Sequence, residues 1–341
     1  MKKLKSFVAL AAVLFVVTLI IPTLVVLPFV EKVSGKLGEE LKAEEKVTEV
    51  NTQTTPAVEV AVYRTAKKEM AKLPLEDYIV GVVASEMNAD FELEALKAQA
   101  LAARTYIVKQ LMSEEKLGVP EGSDVTDTEN HQVYKSDDEL KKLWGMDYKW
   151  KMEKIHKAVQ ETEGLILTYE GAPINATFFS TSNGYTESSE EIWPNALPYL
   201  KSVKSLWDLQ SPKFKGQVVM SVSDFEKKLG VKLKDSTTIG KVTARTTGNR
   251  VGKVSINGTV LTGREIREKL GLKSTDFTWE RKGDNIVINT KGYGHGVGMS
   301  QYGANGMAME GKTSEDIVKY YYKGIEVSSA ENFLTKIMAK K

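Results

Sequence analysis

Glu86 is the residue whose position invites chemistry. It follows Val82 and Val83 by four and three residues, so on a helix its carboxyl shares the face of those apolar side chains. It also stands at the end of the helix predicted by the spacing of Leu75, Tyr78, Ile79, Val82 and Val83, with Pro74 suited to the first turn. Partial desolvation and the carbonyl end of the helix dipole both disfavour a carboxylate, and both raise its pKa. That is the condition for a general acid near neutral pH. A structural role is the alternative: Arg104, on the inner face of the next helix between Ala100 and Ile107, pairs with Glu86 and keeps it ionised. Position alone leaves both open.

A second concentration of polar groups follows in Gly292-Tyr293-Gly294-His295-Gly296-Val297-Gly298-Met299-Ser300-Gln301-Tyr302-Gly303. Glycines at alternate positions before a helix permit close approach of a ligand, and His295, Ser300, Gln301 and Tyr302 offer donors and acceptors. A sugar-binding lip is one reading, and a tight turn required by the fold is the other. Residues 306–313 satisfy the phosphate-loop pattern G-x-x-x-x-G-K-T, but no strand precedes them and Met307 to Glu310 continue a helical pattern, so nucleotide binding is rejected. His131, His156 and His295 lack metal spacing, and Ser180 and Ser182 lack a G-x-S-x-G elbow. The chain has no cysteine, which removes disulfides, thiolate zinc sites and cysteine nucleophiles. Lys plus Arg number 47 against 45 Asp plus Glu, and a net charge of +2 gives no electrostatic case for nucleic acid.

The elements that must position these residues begin with an expected membrane anchor. Lys2, Lys3 and Lys5 precede an apolar run from Phe7 to Val30, long enough as a helix for a hydrocarbon core of roughly 30 Å. The lysines place the N-terminus in the cytoplasm and the rest of the chain outside. Residues 1–30 therefore read as cytoplasmic tip and transmembrane helix, and 31–57 as a linker. From residue 58 an alternating strand leads into the Glu86 helix, and a stronger helix is predicted over Leu93–Leu111. A third spans Trp150 to Glu163. Leu165–Tyr169 and Ile174–Ser180 suggest a hairpin turning at 170–173. Residues 216–290 form a candidate β-rich subdomain with short helices at 223–229 and 262–270 and a hairpin at Asn257-Gly258. Helices from about Ser300 to Glu310 and from Thr313 follow, and 329–341 reads as a tail. Without a clean βαβ rhythm the expected class is α+β, with mixed helices and short sheets.

Several stretches closely resemble the stage II sporulation protein D family. They are Ala84-Ser85-Glu86-Met87; Glu94 to Ala100; Ala102-Ala103-Arg104-Thr105-Tyr106; Phe179 to Thr186; Pro198-Tyr199-Leu200 with Trp207-Asp208; and Gly292 to Ala304, ending near Tyr320-Tyr321-Tyr322. The resemblance covers about residues 58–328, the expected extracytoplasmic domain. It implies a sporulation lytic transglycosylase that cleaves peptidoglycan glycan strands between N-acetylmuramic acid and N-acetylglucosamine during engulfment. The implied substrate is strands already stripped of stem peptides by a cell-wall amidase partner. It further implies membrane-anchored sporulation partners and a location at the sporulation septum or engulfing membrane. Glu86 matches the family's catalytic glutamate, and Arg104, Tyr106, Tyr185, Asp208, His295 and Gln301 become candidates for holding the sugar. Some members are thought to bind zinc through one histidine and two cysteines. His131 is the possible counterpart, but without cysteine no metal and no other cofactor is expected. Related domains occur in amidase enhancers, so a noncatalytic, glycan-binding activator of an amidase is the alternative.

Overall fold

The computed structural model describes residues 58–116, 118–234 and 238–340. The anchor and linker expected in residues 1–57 lie outside the described residues. Among those described, no helix is long and apolar enough to cross a membrane.

Alternation in the first strand, β1 (Glu59–Arg64), buries Val60 and Val62 and pairs it antiparallel with β2 (Glu69–Pro74). Pro74, with φ −51°, then caps α1 (Leu75–Glu86), where Glu76 and Asp77 complement the positive end of the helix dipole. The helix ends because Met87 turns extended. The next helix, α2 (Leu93–Met112), is buried on nearly every side. Its alanines at 95, 98, 100, 102 and 103 are fully enclosed, so other elements approach its backbone closely. After β3 (Val125–Thr126), which pairs parallel with β1, comes a helix the sequence reading did not anticipate, α3 (Asp137–Trp144), started by a Ser136/Glu139 capping box. The helix expected over Trp150–Glu163 is α4 (Tyr148–Gln160).

The hairpin near 170 forms, with β4 (Leu165–Tyr169) paired to β5 (Ala172–Pro173), but it is short. Residues 174–180 leave it, and only β6 (Phe178–Phe179) is strand, pairing in parallel with residues 299–300 far along the chain. The region from 215 to 291 gathers a second apolar core around Phe225, Val254, Ile256, Ile266, Phe277, Ile286 and Ile288. It comprises β7 (Lys215–Ser221), α5 (Val222–Leu229), β8 (Lys241–Arg245), β9 (Val251–Ile256), β10 (Thr259–Thr262), α6 (Gly263–Leu270), β11 (Asp276–Lys282) and β12 (Asn285–Lys291). These make two antiparallel three-stranded sheets, with Asn257 (φ 47°) and Gly258 (φ 91°) at the β9–β10 turn. The lobe's two chain connections lie together: the Gly292 N–H donates to the Phe214 carbonyl at 2.7 Å.

The chain closes with β13 (Met299–Ser300), α7 (Gln301–Met309), α8 (Ser314–Tyr321) and β14 (Glu326–Ser329), the last pairing with β4. Gly306 to Met309 lie inside α7, so the phosphate-loop pattern has no phosphate-loop conformation. The stretch expected as a tail is largely helix: α9 (Glu331–Lys340) seats Leu334 and Ile337 in the main core. The architecture is α+β, built of helices around small sheets.

Arg104 departs most from expectation. Its fully buried guanidinium does not reach Glu86. It forks onto Glu76 at the start of α1, Nε to Oε1 at 2.8 Å and Nη2 to Oε2 at 2.6 Å. Nη1 donates to the carbonyls of Thr162 (2.8 Å) and Leu165 (3.2 Å), and Nη2 also donates to that of Val159 (3.2 Å). A cation there satisfies the otherwise orphaned carbonyls at the end of α4. Arg104 is thus a brace between helices, and its burial removes it as a sugar contact. Replacing Arg104 with Leu strands Glu76 and those carbonyls, so we expect a loss of about 3–5 kcal/mol. A lower urea midpoint at unchanged slope is the expected readout, and a midpoint equal to wild type would sink the brace.

Candidate active site

The chain segment after β3 returns across α1 and α2 and fixes the far wall of a cleft at Glu86. Tyr78 stacks on Tyr134 with centroids 5.8 Å apart, and the Tyr78 hydroxyl donates to Gln132 Oε1 at 3.1 Å. Gly81 makes the approach possible. A Cβ there would lie 2.6 Å from Tyr134 Cδ2 and 2.9 Å from the Lys135 carbonyl oxygen, closer than real side chains allow. Held in this way, the segment presents the Val133 N–H to Glu86 Oε1 at 2.7 Å. The other end of the same residue is also fixed, since Gln301 Nε2 donates to the Glu86 backbone carbonyl at 3.0 Å and to Gln99 Oε1 at 3.3 Å.

Burial pushes the Glu86 carboxyl above the ordinary glutamate range, and the nearby charge of Glu129 adds to this. The Val133 hydrogen bond and Lys135 oppose it without reversing it. The carboxyl therefore favours its protonated form more than a free glutamate does, as a proton donor requires.

The cleft around Glu86 has a volume of about 540 Å³. Tyr106, Gln132 and Val133 line it with Glu86, and Phe178, Phe179, Trp193, Tyr293 and His295 add aromatic rings to the lining. Aromatic faces suit the apolar faces of pyranose rings. Burial raises the Tyr106 hydroxyl to about 12, so it stays a neutral donor.

Of the seven residues singled out from the sequence, Glu86, Tyr106, His295 and Gln301 share this cleft, while Arg104, Tyr185 and Asp208 are not among its lining. Tyr185 is half-buried and its backbone bridges to Lys204. Asp208 is fully buried and corrected to a structural role: its oxygens accept from Ser205 (2.5 Å), Ser300 (2.6 Å) and Ser182 (2.7 Å). Burial raises its pKa against those three hydrogen bonds. His295 lies in the cleft with both ring nitrogens engaged by backbone. The Val297 N–H donates to Nδ1 at 3.1 Å, which leaves Nε2 as the donor to the Phe178 carbonyl at 3.0 Å. Burial and the neighbouring Arg267 lower its pKa to about 4, so it is a neutral, half-buried staple whose ring packs near Phe179 and Trp193.

The glycine run serves its own chain more than a ligand. Gly296, at φ 92°, leaves room for the Arg250 guanidinium, whose Cζ would sit 2.7 Å from an added Cβ. Gly298, at φ 83°, packs against the Thr177 carbonyl with no space for a side chain. Trp193, Phe178, Lys213, Arg267 and the Val133 N–H escaped the sequence reading. Trp193, an isolated aromatic in a polar loop, was the one with a visible signal.

His131 also borders the cleft, with Nδ1 2.9 Å from Thr126 Oγ1. Among the described residues no three of His, Cys, Asp or Glu are gathered to hold a metal. With no cysteine in the chain the residues do not fit a His-Cys-Cys zinc site, and no chemistry below passes through one.

The raised pKa has a consequence for stability. A carboxyl whose folded pKa lies above its unfolded value contributes most at low pH, and the contribution is lost as pH rises through the folded pKa. Glu86→Gln keeps the Val133 hydrogen bond and removes the ionisation. Its melting temperature should therefore exceed that of wild type at pH 7–8 and converge with it below about pH 4. An equal difference at all pH values would refute the raised pKa.

Comparison with known proteins bears on this arrangement. Residues 63–169, which contain Glu86, Tyr106 and the wall at 129–133, match the family model described as Stage II sporulation protein. Stage II sporulation protein D of Bacillus subtilis is 53% identical over 343 residues, 99% of this chain and 100% of that protein. Its counterpart from Bacillus amyloliquefaciens is 52% identical over 345 residues, with the same coverage. An amidase enhancer of Bacillus subtilis is 30% identical over 306 residues, 73% of this chain and 40% of that protein. Similarity of this extent, together with the family model over the segment that carries the acid, shows that the chain belongs to the stage II sporulation protein D family.

Proposed function

We propose that this chain is a lytic transglycosylase of sporulation that cleaves the bond from N-acetylmuramic acid to N-acetylglucosamine in peptide-stripped glycan strands. The observation that carries the reading is Glu86 itself: a carboxyl with a raised pKa, oriented by a backbone N–H, at an aromatic-faced cleft of sugar dimensions. Protonated Glu86 gives its proton to the glycosidic oxygen as the bond to the muramoyl C1 breaks. The muramoyl C6 hydroxyl then attacks C1, and the Glu86 carboxylate takes the hydroxyl proton. The products are a 1,6-anhydro end and a free C4 hydroxyl on the glucosamine unit, and the acid is restored without water. A hydrolase needs a second carboxylate to activate water or serve as nucleophile. Glu129 is the other carboxylate on the cleft. It is exposed, and its charge serves this mechanism by adding to the upward push that burial gives the Glu86 pKa.

The cellular setting follows from the same reading: a membrane-anchored protein at the sporulation septum or engulfing membrane, working with an amidase that removes the stem peptides. The relative named amidase enhancer favours a second reading, in which the cleft binds glycan without cutting it and the chain activates the amidase.

Mass spectrometry of peptide-free strands incubated with the chain separates these readings. Wild type should yield anhydro-ended fragments, and Glu86→Gln should lower the yield by about 10²–10⁴-fold. Ends carrying an added water would mean hydrolysis, with Glu129 as the second carboxylate. Strands bound by both proteins but cut by neither would establish the activator reading.

A further inference from the structure

The cleft carries cationic groups that the mechanism above does not use. Arg267 on α6 and Lys213 at the lobe's entrance both line it together with Glu86. Arg267 is half-buried, and its Nε donates to the Leu272 carbonyl at 3.2 Å, which fixes the plane of the guanidinium. Its neighbour Glu268 is ion-paired with Arg264 at 2.8 Å. Glu268, first among the charges that act on Arg267, and Glu129, the acid on the same cleft, act on it at a distance, without a salt bridge. Lys213 Nζ lies over the rings of Tyr293 (5.6 Å) and Tyr302 (5.9 Å). A third cation, Lys273, sits 4.9 Å from the centroid of the Tyr293 ring and donates to its hydroxyl at 3.2 Å. Among the described residues no carboxylate forms a salt bridge with any of these three. A ring face attracts an ammonium group but does not neutralise it. Like charges lining one cleft without a salt-bridged partner favour an incoming anion, and a guanidinium held in one plane is suited to a carboxylate.

We propose that Arg267 and Lys213 form a carboxylate-binding subsite of the cleft that takes the free lactyl carboxylate of a peptide-stripped muramoyl residue. This inference rests on the glycan-binding part of the function proposed above. A peptide-free strand of alternating N-acetylglucosamine and N-acetylmuramic acid has one kind of ionised group, the lactyl carboxylate on every second sugar. When a stem peptide is attached, that carboxylate is a neutral amide, and the nearest carboxylates lie farther out on the peptide. The subsite therefore reads the removal of the peptide as a charge gained next to the scissile bond. It makes selectivity for stripped strands a property of binding as well as of space.

The test is equilibrium binding to the full chain carrying Glu86→Gln, which holds strands without cutting them. Three probes are compared: peptide-free strands, the same strands with lactyl carboxylates converted to methylamides, and peptide-bearing strands. Amidation should weaken binding roughly tenfold or more, as loss of a charge-assisted contact implies. Adding Arg267→Gln with Lys213→Gln should bring the free-acid strand down to the affinity of the amidated one. Lys213→Gln alone, at an exposed position, should give part of that effect without risk to the fold. Equal affinity for free and amidated strands, or discrimination that survives the double substitution, overturns the subsite. Tighter binding of peptide-bearing strands that vanishes in the double variant overturns it too, by assigning the cations to stem-peptide carboxylates. The measurement does not depend on cleavage, so discrimination here together with a wild type that yields no cut fragments in the mass-spectrometric assay would remove the transglycosylase reading and leave the subsite.

Discussion

A buried guanidinium fork sets the geometry of this protein. Arg104 has no exposed surface, and its donors join Glu76 at the start of α1 to the carbonyls at the end of α4 and the beginning of β4. A charge so placed is tolerable only with every partner present, so the three elements cannot shift independently. Glu86 stands at the opposite end of α1, about 15 Å away at the helical rise. The acid is thus carried by a strut whose far end is locked by charge and whose near end is locked by neutral hydrogen bonds from Val133 and Gln301. The division has physical sense. An ion pair beside Glu86 would lower its pKa, whereas a backbone N–H orients the carboxyl at smaller electrostatic cost.

The cleft lies where the main core meets the 215–291 lobe, and polar contacts fasten that junction. Arg250 and Glu187, both nearly fully buried, lie 3.8 Å apart. Asn183 accepts from Arg250 Nη1 at 3.1 Å and donates to the Gly248 carbonyl at 3.1 Å and to Asp276 at 3.0 Å. Through these contacts the lobe holds α6, and with it Arg267, against the wall that faces the acid. The lobe is more than a brace: its Arg267 lines the same cleft as Glu86.

Much of the Glu86 helix was legible because its apolar spacing is strong and Pro74 suits its first turn. The Asn257-Gly258 turn was legible for a similar reason, since few residues adopt its backbone angles. Arg104 was read correctly as inward-facing, but helical spacing shows the face and not the partner, and Glu76 and Glu86 lie on the same helix. Helix α3 was missed because Asp137 to Lys142 offers a single buried apolar residue, Leu140, and the capping box that starts it sits outside any apolar pattern. Residues 174–180 looked like a hairpin strand by composition, yet the partner of Phe178 and Phe179 is at 299–300. Pairing across such a distance leaves no local trace. The donor that orients the acid is a main-chain N–H, which no residue type announces.

The alternating glycines of 292–298 have a different kind of meaning. They were the most conspicuous stretch of the sequence, and their left-handed backbone angles answer to Arg250, Phe179 and the Thr177 carbonyl, all within the protein. A constraint imposed by folding does not lapse when chemistry does. A descendant that lost its acid while keeping this fold would still need those glycines, so the run is a signature of architecture. The run therefore marks a shared fold and carries no information about what the Glu86 cleft does.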